Sequence, residues 1–517
     1  MTPLCLLADS RSSCVRRSTH RTAQKPGLTT TDDAVFTLAR TSQCEHVHHR
    51  SRSLDPMLGI LGIFASLALL IFLAQRGWNV IFVAPICAAV AILFNWGDLP
   101  LMASYTQIYM PALGTYFATY FPLFMLGAVF GKLMDESGSA RAIAHRIVEW
   151  VGGERAILAV VLACALLTYG GVSLFVVAFS VFPIAASLFR EARIPKRLIP
   201  AAIGLGSFTF TMVALPGTPA IQNAIPIPFF QTTIYAAPGM GLIASAFMFA
   251  VGMLWLSRRA HAAARSGEGY GEHKEDLAAV DASKLPPFFL ALLPILVVMV
   301  LNFALSKFVI PAFDHGYLAT AKFKNIELKK VLAIWAIIGA MAGAIVVIVL
   351  ANRSRIADLR DAFNKGTLGS LLPMANTASE VGYGAVIAAL AAFAVVREGL
   401  KAVASDPVVS LWLVVTVLAA MTGSASGGMS LALGAMGEYY AHAAEAARIN
   451  PEIMHRIAAM GSAAMDILPH NGAVITLLAI CGLTHKQSYF DLFVVGSLTA
   501  LSASLLVLGL YLTVGVF

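Results

Sequence analysis

The chain carries one pattern twice, and each copy interrupts a long apolar run where a membrane helix would have to break. Gly170-Gly171-Val172-Ser173-Leu174 is answered by Gly427-Gly428-Met429-Ser430-Leu431. Downstream, Glu191-Ala192-Arg193-Ile194 is answered by Ala446-Ala447-Arg448-Ile449, and Gly206-Ser207 by Gly461-Ser462. Leu215-Pro216-Gly217-Thr218-Pro219 is then answered by Leu468-Pro469-His470-Asn471-Gly472, and the offset between copies drifts only from 257 to 255 to 253. Three blocks in one order at nearly one spacing outweigh chance recurrence of small-residue motifs. Paired Gly/Pro interruptions in two halves of a membrane protein point to the substrate site of a transporter.

Hydrophobic residues make up 58% of the chain and charged residues 12%, against about 25% charged in an ordinary soluble domain. With repeated apolar runs of ~20 residues, this is the composition of an all-α polytopic membrane protein. The net charge of +8 is a topology signal and not a nucleic-acid footprint. Spans are expected at Met57–Gln75, Trp78–Phe94, Tyr116–Met134, Tyr235–Leu256, Pro287–Phe308, Val331–Ala351, Leu371–Val396 and Phe490–Phe517. The six cysteines are scattered without a Cys-x-x-Cys pair, so neither a metal centre nor a disulfide framework is expected.

The domain plan has four parts. Residues 1–56 are polar and rich in Arg, Ser, Thr and His. They read as a disordered tail, a transit-like segment or sequence upstream of a true start at Met57, the last being favoured. His46, His48 and His49 there form a solvated cluster and not a metal site. Residues 57–256 form a first membrane half, Ser257–Lys284 a polar cytoplasmic linker, and 285–517 a second membrane half, with Phe313–Lys330 as an external amphipathic connection.

Around the repeat blocks the apolar pieces are short: Ala156–Thr168 and Ser173–Phe189 in one half, Val408–Met421 and Met429–Tyr440 in the other, with Gly423–Gly428 between the last two. Such lengths suit re-entrant half-helices. After each hairpin comes a broken helix, Leu198–Leu215 stopping at Pro216–Pro219 and Ile453–Leu468 stopping at Pro469–Gly472. The loop after the first hairpin holds Arg190, Arg193, Lys196 and Arg197, whereas its counterpart holds only Arg448 among three glutamates. Counting Lys and Arg places the two loops on opposite sides of the membrane, so the repeats are inverted. Arg258-Arg259 and Arg353 with Arg355 read as cytoplasmic by the same rule.

Half-helices ending inside the membrane present free N–H groups and a positive dipole end, a ready carboxylate site. The expected substrate ligands are Gly170, Gly171, Ser173, Thr218 and Asn223 in the first copy and Ser424, Ser426, Gly427, Gly428 and Asn471 in the second. A lone Ser or Thr there also has the plainer reading of bonding back to its own helix. Ionisable groups deep in apolar segments are functional candidates: His470, Asp466 and Glu380 are the expected proton carriers, the alternatives being a neutral, hydrogen-bonded structural role for His470 and an interfacial place near a helix start for Glu380. Asp466 and His470 would share a helix face if the helix ran intact to the break. Gly127–Lys132 imitates a phosphate loop but is one residue short and lies in an apolar span. No loop is long enough for a soluble catalytic or sensory domain, so an enzyme is not expected, and no cofactor beyond a coupling proton or sodium ion is called for.

With these blocks in place, residues 57–517 resemble the gluconate:proton symporter family of bacterial inner-membrane permeases, within a superfamily of inverted-repeat organic-anion transporters. Gly423-Ser424-Ala425-Ser426 is similar to that family's Thr-Gly-Ser-Ala-Thr element, Gly461-Ser462 with Pro469-His470-Asn471 to its Gly-Ser…Ser-His-x-Asn-Asp element, and Pro216-Gly217-Thr218-Pro219 to its Pro-x-Pro-Gly-Pro element. The chain departs at Tyr169-Gly170-Gly171, where the family often has Phe-Phe-Glu, and at Asn471-Gly472, where it often has Asn-Asp. The resemblance implies proton-coupled uptake of a hydroxy-monocarboxylate such as gluconate, glycerate or 3-hydroxybutyrate. It also implies a homodimer in the lipid bilayer and an elevator-type movement. Sodium-coupled di- or tricarboxylate transport and a non-transporting membrane enzyme or anion sensor are the alternatives.

Overall fold

A computed structural model of the protein describes residues 56–514 apart from 77, 153–154, 173, 274–284, 404 and 470. The tail 1–55, Ser173, His470 and much of the expected linker therefore lie outside the described residues. Every regular element among those described is helical. Among the described residues, five helices are long and apolar enough to cross a membrane: Leu101–Glu136, Pro238–Arg265, Phe288–Ala312, Leu328–Asn352 and His485–Val514. Shorter apolar helices lie at Met57–Leu73, Val80–Phe94, Ala156–Tyr169 and Pro407–Ala420. Gly127–Lys132 sits inside the continuous helix Met110–Glu136, and Lys132 pairs with Glu136 at 2.7 Å.

Both copies of the repeat fold into the same order of elements. Ala156–Tyr169 turns at Gly170-Gly171 into Leu174–Glu191, followed by Ile199–Ser207; Pro407–Thr422 turns at Gly423-Ser424 into Ala425–Ala446, followed by Pro451–Ala464. The turn glycines Gly171 and Gly423 are left-handed, with φ of 85° and 64°, a backbone that a Cβ strains. The aligned pair Arg193 and Arg448 is left-handed too. In each copy the next isoleucine reaches back over the helix end, Ile194 N–H to Phe189 O and Ile449 N–H to Ala444 O, both at 2.8 Å. This is a Schellman cap, made twice from the same block of sequence.

The structure moves several expected boundaries. The first broken helix ends at Ser207, not Leu215. Pro216, Pro219, Pro226 and Pro228 leave only four-residue helical pieces until Pro238, because each proline lacks an N–H and clashes with the preceding turn. The second broken helix ends at Ala464 and a helix resumes at Gly472, so Asp466 lies beyond the helix end and the helix does not run intact to the break. The second hairpin opens only at Gly423-Ser424; Gly427 and Gly428 stand in the first turn of Ala425–Ala446. Helix Pro238–Arg265 runs two turns into the expected linker. The expected span Leu371–Val396 is a helix Leu359–Ala389, capped by Asp358, and a second helix Ala391–Val403 after extended backbone at Leu390. Leu359–Ala389 packs along Met110–Glu136, Val80–Phe94 and Ala425–Ala446, which carries its middle into the protein interior.

A cluster of charges joins the ends of the two halves. The Asp491 carboxylate, almost wholly buried, accepts from Arg197 Nη1 and Arg259 Nε, each at 2.7 Å, and from Trp255 Nε1 at 3.1 Å. Arg197 also holds Glu268 through Nε at 2.7 Å and Nη2 at 3.0 Å, and its backbone O accepts from Ser488 Oγ at 2.6 Å.

Candidate functional site

The tip of the second hairpin collects most of the polar groups expected from the sequence. Ser424 caps Ala425–Ala446 by accepting the Gly427 N–H at 3.1 Å, satisfying one of the free donors of a helix start. The Ala425 N–H donates to Asp466 Oδ1 at 2.7 Å. Asp466 Oδ1 also accepts from Asn471 Nδ2 at 2.9 Å, and the same nitrogen reaches the Asp466 O at 3.0 Å. Asn471 Oδ1 accepts from Ala473 and Val474, capping the resumed helix Gly472–Ile480. The unwound stretch that begins at Met465 is thus held to the hairpin start by the Asp466 carboxylate and tied to Asn471 by one amide.

Glu380 enters the same place from Leu359–Ala389. It is 6% exposed, its Oε2 has no partner, and it lies within electrostatic reach of Asp466. A methyl group at Gly427 would stand 1.6 Å from that Oε2, so only glycine lets the carboxyl lie against the first turn of the hairpin helix. A helix start carries about half a positive charge and favours an anion. Here two of the protein's own carboxyl groups occupy it. Ser426 remains half-buried beside Ser424, their hydroxyls 3.4 Å apart.

The first break is organised differently. Arg456, fully buried on Pro451–Ala464, donates to Ala236 O at 2.7 Å, Val213 O at 2.9 Å and Asn223 Oδ1 at 3.0 Å. His455 Nε2 meets the same Asn223 oxygen at 3.1 Å, and its Nδ1 lies 2.6 Å from Thr232 Oγ1. Because the amide oxygen only accepts, His455 Nε2 donates, and a neutral ring accepts from Thr232 at Nδ1. Asn223 Nδ2 donates to Thr218 O at 3.0 Å and Ile234 O at 2.9 Å. The carbonyls of this unwound stretch are therefore satisfied partly by its own Asn223 and partly by Arg456 of the second repeat, as buried backbone polar groups must be.

The expected residues sort accordingly. Glu380, Asp466, Asn471, Ser424, Ser426 and Gly427 come together. Gly428 allows the hairpin helices to touch, since a Cβ there would lie 2.2 Å from Ala419 Cα. Gly170 and Gly171 form the other tip, packed on Ile295 and Pro219. Thr218 and Asn223 are fully buried, and the Asn223 amide serves the protein itself where a substrate ligand was expected. Sequence reasoning missed His455 and Arg456. Their signal was a basic pair inside the repeat's apolar helix, one turn after its start.

A membrane body whose described elements are all helical, with two hairpins and buried acidic groups at the tip of the second, fits a secondary transporter. The chain belongs to the GntP family of permeases, whose family model matches residues 58–512. It is 45% identical over 468 residues to the uncharacterized transporter YxjC of Bacillus subtilis (strain 168), covering 88% of this chain and 98% of that protein. Among solved structures it resembles the YdaH transporter of Alcanivorax borkumensis, with a TM-score of 0.52 at 15% identity over 78% of this chain and 88% of that one, a likeness of fold alone. The protein is a multi-pass membrane permease for a small molecule, and not an enzyme.

Proposed function

We propose that this permease takes up a small hydroxy-monocarboxylate, such as gluconate, glycerate or 3-hydroxybutyrate, together with protons across the bacterial inner membrane. The observation that carries the reading is the unpartnered Glu380 carboxyl oxygen lying against Gly427, at a helix start whose Ala425 amide Asp466 already holds. Two carboxyl groups and a substrate carboxylate at one helix start repel one another, and closely coupled acids share protons. Protonating the pair frees the amides for the substrate's carboxylate, so anion and proton enter together. The Gly170–Ser173 tip approaches from the opposite side in this reading, with the repeats inverted. His470 extends the proton path, and the hairpins ride an elevator-type domain against a homodimeric scaffold.

The test is uptake of labelled acid into proteoliposomes under an imposed pH gradient. Accumulation that follows the gradient, and exchange without accumulation in Glu380→Gln and Asp466→Asn, is the expected result. No uptake of gluconate, glycerate, 3-hydroxybutyrate or citrate by folded protein would refute the reading. Accumulation that follows sodium at fixed pH would replace the proton with that ion.

A further inference from the structure

A cavity of about 440 Å³ lies one helical turn along Ala425–Ala446 from the hairpin tip. That volume is in the range of small-molecule sites. Tyr116 and Tyr120 line it from Met110–Glu136, Ile225 from beyond the first break, Val381 from the position next to Glu380, and Ser430 from the hairpin helix. Its polar wall groups divide in two. The Tyr120 hydroxyl donates to Ile225 O at 3.3 Å, and Thr119 bonds back to Thr115 O at 2.8 Å. The Tyr116 and Ser430 hydroxyls are buried and have no partner beyond each other. They neighbour each other, and Tyr116 lies within electrostatic reach of Glu380. Buried polar atoms are nearly always satisfied, so each exception calls for a reason. No lining residue is charged.

The pairing of two orphaned hydroxyls with an uncharged cavity decides what the cavity can take. It offers a carboxylate no positive charge. An alcohol group, a donor and an acceptor at once, satisfies a tyrosine and a serine hydroxyl together. We propose that this cavity receives the hydroxylated tail of the transported acid, and that Tyr116 and Ser430 select for its hydroxyl groups while the carboxylate stays at the hairpin tip. The proposal rests on the uptake reading above and adds Tyr116, which lies outside the repeat blocks.

The experiment measures binding and proteoliposome uptake of matched acids, 3-hydroxybutyrate against butyrate and glycerate against propionate, in wild type, Tyr116→Phe, Ser430→Ala and Gly434→Leu. Wild type is expected to favour the hydroxylated member of each pair. Tyr116→Phe and Ser430→Ala should each weaken it about tenfold, equal to one hydrogen bond of ~1.4 kcal/mol, and leave the plain acid unchanged. Gly434 lines the cavity with open space around its Cα, so Gly434→Leu fills it without disturbing the packing and should abolish binding of the hydroxylated acids. Unchanged discrimination in the hydroxyl variants, or unchanged binding in Gly434→Leu, overturns the proposal and leaves the uptake reading standing. A lipid chain filling the cavity would give that result, being indifferent to both hydroxyls. If wild type binds none of the four acids, the uptake reading fails and this one with it.

Discussion

Arg193 and Arg448 occupy equivalent places in the two repeats and share a left-handed backbone, φ 54° and 57°. Each closes a helix whose last carbonyls are taken up by the following isoleucine. A non-glycine residue is strained there, and glycine is the usual occupant. Arg448→Gly should therefore stabilise the protein by about 0.5–1 kcal/mol, the relief of strain exceeding the added freedom of the unfolded chain. Thermal unfolding of the purified protein checks the sign, and a lowered midpoint would contradict the cap.

Gly427→Ala should abolish uptake without unfolding the protein. The new methyl would meet the Glu380 carboxyl at 1.6 Å, and displacing buried atoms on this scale costs about 1–3 kcal/mol. If the contact is what matters, Gly427→Ala combined with Glu380→Ala recovers the lost stability but not gradient-driven uptake. Wild-type uptake in the single variant would remove the tip from the transport path.

Asn223→Ala should be among the most damaging changes to stability. It strips an acceptor from the buried Arg456 and His455 and a donor from two backbone carbonyls. Leaving such groups unsatisfied costs about 3 kcal/mol or more, since one of them is charged. Thr218→Val should cost much less, about 1 kcal/mol, because the Thr218 hydroxyl makes only a 3.4 Å contact with the Ala220 N–H. Equal melting temperatures for the two variants would contradict the network.

The Arg197–Glu268 pair gives a pH-dependent term outside the bilayer. The Arg197 guanidinium holds the Glu268 carboxyl below its ordinary range. A depressed carboxylate stabilises the fold at neutral pH and loses that contribution as pH falls through its lowered titration range. Glu268→Gln should lower the melting temperature slightly at pH 7, since exposed pairs are worth about 1 kcal/mol or less. The gap to wild type should close as pH falls below the ordinary glutamate range, through the lowered titration of Glu268. A gap that persists at low pH would assign the effect to packing.

What could be read from the residues depended on whether they act locally. Gly171, Gly423 and the prolines after Leu215 declare their breaks through backbone geometry, and the structure puts breaks there. Glu380, Asp466 and Asn471 were visible as polar groups in apolar surroundings, and they do converge. Asn223 looked the same in the sequence, yet its amide faces Arg456 instead of a ligand; which way a buried amide points is set by a helix 233 residues away. The aligned glycines Gly427 and Gly428 fell inside a helix because Ser424 caps it early, a local signal that the repeat register overrode. The helix from Leu359 began in polar residues, where hydropathy alone indicates a loop.

Asp491 has a consequence for how the chain is made. Arg197 is synthesised 294 residues before the carboxylate that holds it, and Arg259 is made 232 residues before it. Until the last helix emerges, Arg259 lacks the Asp491 carboxylate, and Arg197 at the start of the first broken helix is held by Glu268 alone among its two acidic partners. The first half can insert early, but its final geometry waits for the closing segment of translation. A chain truncated before His485 would thus be inserted yet incompletely assembled, and open to the proteases that survey unfinished membrane proteins.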